Sequence, residues 1–219
     1  MLSNRLKIIA SFVPHDSNVA DIGCDHGYLL ISLKDNHFKG KLLGIDNKKG
    51  PLETFRRNLI LHGYQNSIAM KLSDGLKDVD NNFNTIVIAG MGFDSIKRIL
   101  LKNVKKLDNI DYFIIDSHTK EDEIRKLFVG LGYFIDKEAI ISENNIYYEI
   151  IRFAKGNKEY SDIEYKFGPI LKEEKTKIFI SKWSEKLRRN NELISMENID
   201  EKRRKKLIEE NDFIYKVIN

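Results

Sequence analysis

The chain has 219 residues, and 37 Lys and Arg against 33 Asp and Glu give a formal net charge of +4. Length and a 42% hydrophobic, 32% charged composition exclude wholesale disorder and suit one ordinary domain with a smaller appendage. A single Cys excludes an internal disulfide, and no apolar run reaches the roughly 18 residues of a membrane span, so a soluble cytoplasmic protein is expected. The sequence pI near 8.9 permits a nucleic-acid partner without requiring one.

Leu2, Leu6, Ile9 and Val13 fall on one helical face, and Pro14 stops that helix. Asn18 to Ile22 reads as a short buried strand, followed by a Gly-containing turn and a helical segment over Leu29 to Leu33. A second strand, Lys41 to Ile45, ends at Asp46. Helical spacing resumes at Leu52, Phe55, Leu59 and Ile60 and closes at Gly63. Ile68 to Leu72 and Thr85 to Ala89 make strands three and four, nearly all apolar, as a sheet covered on both faces requires. Ile96 to Leu101 is helical, Tyr112 to Ile115 is a fifth strand, and Glu121 to Leu131 is another helix. Phe134 to Ile140 and Ile146 to Phe153 read as a closing pair of strands. Strands alternating with helices imply an α/β fold with a doubly wound, mostly parallel, Rossmann-like sheet.

The character changes near Gly156. Beyond Pro169 the chain is helical, charged and almost free of Gly. Leu171, Ile178, Phe179 and Ile194 recur at near-heptad spacing with Trp183 and Leu187 between them. Leu207, Ile214, Val217 and Ile218 repeat the pattern after a polar turn at Asn198-Ile199-Asp200. The expected division is therefore a first unit over 1–155 and an antiparallel, coiled-coil-like helical hairpin within 156–219.

The chemistry gathers where strands end. Asp21 closes the first strand, and Gly23, Cys24, Asp25, His26, Gly27 and Tyr28 form the turn into the next helix. Glycines there let a ligand approach the backbone, and the free N–H groups of a helix start favour an anion. The spacing Gly23-x-x-x-Gly27 departs from the dinucleotide pattern, and no diphosphate grip is evident. S-adenosyl-L-methionine would instead place its methionine carboxylate at such a turn. Asp46, with Asn47 after it, follows Gly23 by about the interval at which an acidic side chain holds ribose hydroxyls; it reads equally as a cap of the next helix. Ser73-Asp74-Gly75-Leu76 ends strand three, where Asp74 and Gly75 reach an adenine amino group or form an ordinary turn. Ala89-Gly90-Met91-Gly92 ends strand four, the position from which a methyl acceptor is presented.

Together, Ala20-Asp21-Ile22-Gly23-Cys24-Asp25-His26-Gly27-Tyr28-Leu29, Gly50-Pro51, Ser73 to Leu76, Ile88 to Gly92 and Tyr148-Glu149-Ile150-Ile151 resemble the bacterial tRNA methyltransferases that modify N1 of adenine 22. The resemblance covers essentially the whole chain. It implies a class I methyltransferase sheet with a C-terminal helical hairpin, S-adenosyl-L-methionine as cofactor, S-adenosyl-L-homocysteine as product, and tRNA as partner. Three steps depart from the family pattern. Phe93 stands where a second Gly usually follows Ala-Gly-Met-Gly. Asp116-Ser117-His118 replaces a Gln-Pro-Asn-like step, and Asp46 replaces a Glu. The first two fall near the expected acceptor pocket.

The reading assigns cofactor binding to Asp21, Gly23, Cys24, Asp25, Gly27, Asp46, Asn47, Asp74, Gly75, Ala89, Gly90 and Met91. Catalytic roles fall to Asp25, His26, Tyr28, Met91 and, by its family position, Asn58, which reads equally as a surface polar residue. Asp25 reads either as bordering the methyl-transfer site or as capping the following helix; His26 and Tyr28 either line the pocket or pack in the turn. Cys24, inside the cofactor turn, reads as a small packing residue rather than a nucleophile. No metal is expected, because the His residues lack ligand spacing. Phosphate contacts are expected from Lys202, Arg203, Arg204, Lys205 and Lys206, from Arg188 and Arg189, and secondarily from Arg5 and Lys7. No obligate protein partner is evident, and a monomer is expected. Competing readings are a non-catalytic RNA- or protein-binding module that keeps the cofactor fold, and a methyltransferase for another RNA or a small molecule.

Overall fold

The computed structural model describes residues 2–219; residue 1, which falls in the first expected unit, lies outside the described residues. Seven strands form one sheet in the order β3-β2-β1-β4-β5-β7-β6. β1 (Val19–Ile22), β2 (Leu42–Asp46), β3 (Ala69–Leu72), β4 (Thr85–Met91) and β5 (Tyr112–Ser117) run parallel. β7 (Ile146–Lys155) lies antiparallel between β5 and β6 (Tyr133–Glu143). The strand order reverses between β1 and β4, and in open α/β sheets ligands bind at the carboxyl ends of the strands flanking such a switch.

The helices α1 (Asn4–Phe12), α2 (Tyr28–Asp35), α3 (Lys49–Leu61), α4 (Phe93–Leu101) and α5 (Glu121–Gly130) cover the sheet. Ser3 caps α1 by accepting from the Leu6 N–H. One core joins Ile22, Ile45, Ile88 and Phe113 to α4 and α5 through Ile96, Ile99, Ile124 and Phe128. The opposite core joins Val19, Val87 and Ile114 to α1, α2 and α3 through Ile9, Leu30, Phe55 and Leu59. Apolar side chains on both faces of the central strands explain their unbroken runs of Ile and Val.

β3 differs from expectation. It is an edge strand, and all four of its residues keep some exposure. Its amino group at Lys71 reaches Asp80 at 3.2 Å, a charged edge of the kind that blunts strand-to-strand association.

After Gly156 the chain forms α6 (Asp162–Phe167), α7 (Pro169–Glu174), α8 (Lys177–Ile194) and α9 (Glu201–Ile218). A capping box at Ser161 and Glu164 starts α6. Leu171, grouped by its spacing with the first hairpin helix, belongs instead to the separate α7: Lys175 takes φ +44° and Thr176 caps a new helix through the Phe179 N–H. α8 and α9 form the hairpin, with Asp200 capping α9. Its apolar root is Phe167, Leu171, Phe179, Trp183, Ile214 and Val217, packed on Ile140 of β6. Farther along, the seam turns polar: buried Asn190 donates to Glu210 (2.8 Å) and Asn211 (2.9 Å).

Beneath that root lies a buried ion cluster. Arg125 of α5 donates through Nε to Glu138 of β6 (2.8 Å) and also pairs with Glu149 of β7. Lys182 of α8 reaches the other Glu149 oxygen at 2.7 Å. Glu138 also accepts from the Ile170 N–H at the start of α7 (2.9 Å). Charges from the sheet, α5 and the C-terminal helices thus satisfy one another, as a buried charge requires.

Candidate active site

The turn after β1 has a backbone few sequences can adopt. Gly23, Asp25 and Gly27 all have positive φ, at +78°, +48° and +74°. A Cβ at Gly27 would lie 1.9 Å from the Phe55 ring, and one at Gly23 would lie 2.3 Å from the Met91 methyl. Glycine at both places is therefore a packing requirement as well as a conformational one. The turn is pinned to β2: the Gly23 and Cys24 N–H groups donate to the Ile45 carbonyl at 2.7 and 3.0 Å. Asp46 continues the pinning, accepting from the Asp25 N–H (3.3 Å) and the Lys48 N–H (2.9 Å). Each oxygen keeps a lone pair for a further donor.

Two clefts open at the carboxyl end of the sheet. The first, about 340 Å³, is lined by Ile22, Gly23 and Asp25 of the turn, by Ile45 to Lys48 and Pro51, by Ser73, Asp74 and Gly75, by Ala89, Gly90 and Met91, and by Ser95, Arg98 and Ile99 of α4. The second, about 360 Å³, is lined by Arg5 and Leu6 of α1, the turn from Gly23 to His26 with Asp21, Tyr28 and Leu29 of α2, Ala89, Gly90, and His118 after β5. Gly23, Asp25, Ala89 and Gly90 belong to both.

Most of the sequence-assigned residues meet at these clefts, in more specific places than the sequence distinguished. Asp46, Asn47, Asp74, Gly75 and Met91 line the first cleft only, whereas Asp21, Cys24, His26 and Tyr28 line the second only. Asp74 is exposed, with its carboxylate 3.4 Å from Lys102. Tyr28 is 52% exposed on the rim, edge-on to His26 at 5.9 Å. Asp25 makes no cap for α2, whose N-cap is Gly27 without a side-chain bond. His26 Nδ1 lies 3.5 Å from the Asp25 carboxylate. Asn58 lines neither cleft; its amide donates to the His26 carbonyl (2.9 Å) and holds the turn from behind.

Cys24 is buried against Gly44, and burial together with the carboxylates of Asp21 and Asp46 pushes its thiol pKa far up. Such a thiol is no nucleophile at neutral pH. Asp21 is buried too, and its pKa is pushed up to about 7, first by burial and then by the charges of Asp46 and Asp25. Asp21, Asp25 and Asp46 thus gather negative charge around the turn, and no salt bridge among the described residues engages Asp21.

Of the wall formed by α1 and the end of β5, sequence reasoning named only Arg5, as a secondary phosphate contact. Arg5 donates to Asp116 at 3.1 Å, with its guanidinium carbon 5.0 Å from the Tyr148 ring centre. His118 is 3.5 Å from the same Arg5 nitrogen and edge-on to Tyr148. For Asp116 and His118 the signal was that they fall where the family pattern is broken. Phe93, by contrast, opens α4 with its ring in the core at 8% exposure and is unavailable for stacking on a base.

The basic residues divide. Lys202, Arg203, Lys205 and Lys206 are exposed on α9. Arg204 is tied down, donating to the Ile194 carbonyl at 2.7 Å and so closing the hairpin loop. Arg188 and Arg189 are exposed but pair along α8 with Glu192 and Glu185. Lys7 lines a separate depression with His15, Asp16, His37 and Lys39. Among the described residues no group of three or more His, Cys, Asp or Glu could hold a metal ion, and no helix is long and apolar enough to cross a membrane.

Comparison with known proteins agrees with this geometry over the whole chain. A curated Bacillus subtilis tRNA (adenine(22)-N(1))-methyltransferase is 29% identical over 193 residues, 85% of this chain and 81% of that protein. The crystal structure of the B. subtilis m1A22 tRNA methyltransferase superposes with a TM-score of 0.89 at 27% identity, covering 100% of this chain and 99% of the other. A Streptococcus pneumoniae protein solved with S-adenosyl-L-methionine gives 0.91 at 29% identity, covering 100% of both chains. An M. capricolum relative solved with S-adenosyl-homocysteine gives 0.88 at 28%, again covering 100% of both. The model of the tRNA (adenine(22)-N(1))-methyltransferase family matches residues 19–219, and the chain belongs to that family.

Proposed function

We propose that the first cleft holds S-adenosyl-L-methionine, the second holds the adenine whose N1 is methylated, and the methyl group crosses where the clefts meet. The family's activity is S-adenosylmethionine-dependent methylation of N1 of adenine 22 in tRNA. The observation that carries the assignment of sides is the wall of Gly23, Asp25, Ala89 and Gly90, which both clefts share.

The residues of the first cleft fit the cofactor. Asp46 retains acceptor capacity for ribose hydroxyls, Ile45, Pro51 and Ile99 offer apolar surface to an adenine ring, and the Gly75 backbone opens toward its edge. Asp25 and Asp46 supply negative charge toward a ligand that carries an ammonium and a sulfonium. The bound cofactor supplies an activated methyl group.

The protein's own contribution is orientation and electrostatics. N1 of adenine has an available lone pair, so attack in line with the methyl group requires no prior loss of a proton and no strong base. The ring becomes cationic as the bond forms, and Asp21 and Asp25, which line the second cleft, face that charge. Tyr28 and His26 offer aromatic surface on the rim for a base drawn out of its stack, a step that costs a few kcal/mol.

Contacts elsewhere on the tRNA offset that cost. We assign them to the unit over 156–219, chiefly Lys202, Arg203, Lys205 and Lys206, leaving the chemistry to 1–155. Both clefts are built from one chain, so a monomer suffices, acting in the cytoplasm on its tRNA substrate.

The test is primer extension on unmodified tRNA incubated with the protein and cofactor, since 1-methyladenine blocks the Watson–Crick edge. A cofactor-dependent stop at adenine 22 is expected; methyl transfer without that stop overturns the position. In the same assay, changing Lys202, Lys205 and Lys206 to Ala should weaken tRNA binding and flatten its salt dependence by up to about 3 in slope, roughly one per phosphate contact. An unchanged slope removes α9 from the interface.

A further inference from the structure

The wall of α1 and β5 carries a pair that the methyl-transfer chemistry described so far does not use. Asp116 is wholly buried at the end of β5, and Arg5 reaches it across 111 residues of sequence. One carboxylate oxygen takes the Arg5 bond, and the other, also buried, has no hydrogen-bond partner. The Gly90 N–H faces the same carboxylate. Arg5 is held on three sides, by Asp116, by the Tyr148 ring and by His118. Its remaining guanidinium nitrogens have no hydrogen-bond partner among the described residues, and the side chain lines the second cleft with 24% of its surface exposed. A Cβ built on Gly90 would lie 3.8 Å from the Arg5 terminal nitrogen, so the guanidinium lies beside the wall the two clefts share.

A rigid fork in that position is well made for grasping a hydrogen-bond acceptor on the target nucleotide. Left uncompensated, it is poorly placed for the reaction. As N1 takes the methyl group, the N1–C bond forms, the S–C bond breaks with its electron pair staying on sulfur, and positive charge moves from sulfur to the ring. A bare guanidinium beside that ring would oppose the movement in a site of low dielectric.

We propose that Arg5 and Asp116 act as a charge-balanced pair on the acceptor side: Arg5 positions the adenine 22 nucleotide, and Asp116 cancels its charge so that the ring can become cationic. The proposal rests on the second cleft being the acceptor site. The pair falls at Asp116-Ser117-His118, where the chain departs from the family's Gln-Pro-Asn-like step. Burial pushes the Asp116 carboxyl above its ordinary range, and the Arg5 charge beside it opposes that rise in part.

Four full-length variants test it: Arg5→Lys, Arg5→Gln, Asp116→Asn, and Arg5→Gln with Asp116→Asn. Each is assayed for kcat and KM on unmodified tRNA and for S-adenosyl-L-homocysteine affinity by calorimetry. Asp116→Asn, which leaves the cation bare, should lose about tenfold or more in kcat at unchanged affinity for the cofactor product. The double variant, which removes the cation as well, should recover part of that kcat while KM for tRNA rises. Should the double variant be no faster than Asp116→Asn, Asp116 does not act through the charge of Arg5 and the proposal fails. If Asp116→Asn does not fold, Arg5 decides: Gln should raise KM several-fold more than Lys, and equal effects of the two overturn the positioning role. Unchanged kcat and KM in all four would instead sink the assignment of the second cleft to the acceptor.

Discussion

The molecule treats buried carboxylates in two opposite ways. At the root of the hairpin, Glu149 is fully buried yet held below its ordinary pKa: burial works against ionisation, but Lys182 and Arg125 outweigh it. At the clefts, Asp21 is as deeply buried and has no cation of its own, and it is pushed up to about 7. A charge that only holds helices to a sheet can be satisfied by the chain itself. A charge that must meet a cationic ligand has to be left short of partners until that ligand arrives. On the proposed reading, the uncompensated Asp21 marks the working end of this sheet, and the paired Glu149 marks the attachment of its C-terminal helices.

Breaking the satisfied cluster should have the largest effect. Glu149→Gln leaves Arg125 and Lys182 short of a counter-charge in the interior, and a loss of about 3–5 kcal/mol in unfolding free energy is expected, measured by denaturant titration. A loss below about 1 kcal/mol would show that these groups reach water and that the contrast is overstated. Because the cluster joins α5, β6, β7 and α8, the same variant should unfold in one transition rather than shed its hairpin first.

Asp21 should give the smaller effect, with the opposite sign. Its folded pKa lies above the unfolded value of 3.8, so the empty folded protein holds the proton more tightly than the unfolded chain. Stability from this group is full below pH about 4 and is lost as pH rises to about 7. Three units correspond to about 4 kcal/mol at most. Asp21→Asn should therefore melt higher than the parent at pH 8 and alike at pH 4, in the absence of cofactor. A gap that widens toward low pH would mean that Asp21 is paired after all.

How much of this could be read from the sequence follows from which groups build each part. The first cleft is made by the ends of β1, β2, β3 and β4, each contributing a short contiguous stop such as Gly23 to Asp25, Asp46-Asn47 or Ala89 to Met91. Local chemistry names such stops, and the strand order then brings them together. The wall of α1 and β5 is assembled from side chains far apart in the chain, Arg5 with Asp116 and Tyr148, and no local pattern joins them. Asn58 reads from the sequence as either a pocket or a surface polar residue; its bond to the His26 carbonyl makes it a support for the turn. Phe93 broke a glycine pattern and invited a functional reading, yet its ring packs in the core with α4. The apolar run of the hairpin was legible as two helices, but Leu171 joined the wrong one because Lys175 breaks the chain into a left-handed turn that composition does not signal. β3 looked buried because apolar runs do not distinguish a central strand from an edge one.

The central claim is that donor and acceptor occupy neighbouring clefts across one shared wall. A crystal structure of the protein with S-adenosyl-L-homocysteine and an RNA hairpin carrying the target adenosine tests it most directly. The account expects the cofactor product between Asp46 and Gly75, and the extruded adenine between Arg5, Tyr28 and His118 with N1 toward Gly90. An adenine bound elsewhere, or one reaching the sulfur from the Asp74 side, would contradict it.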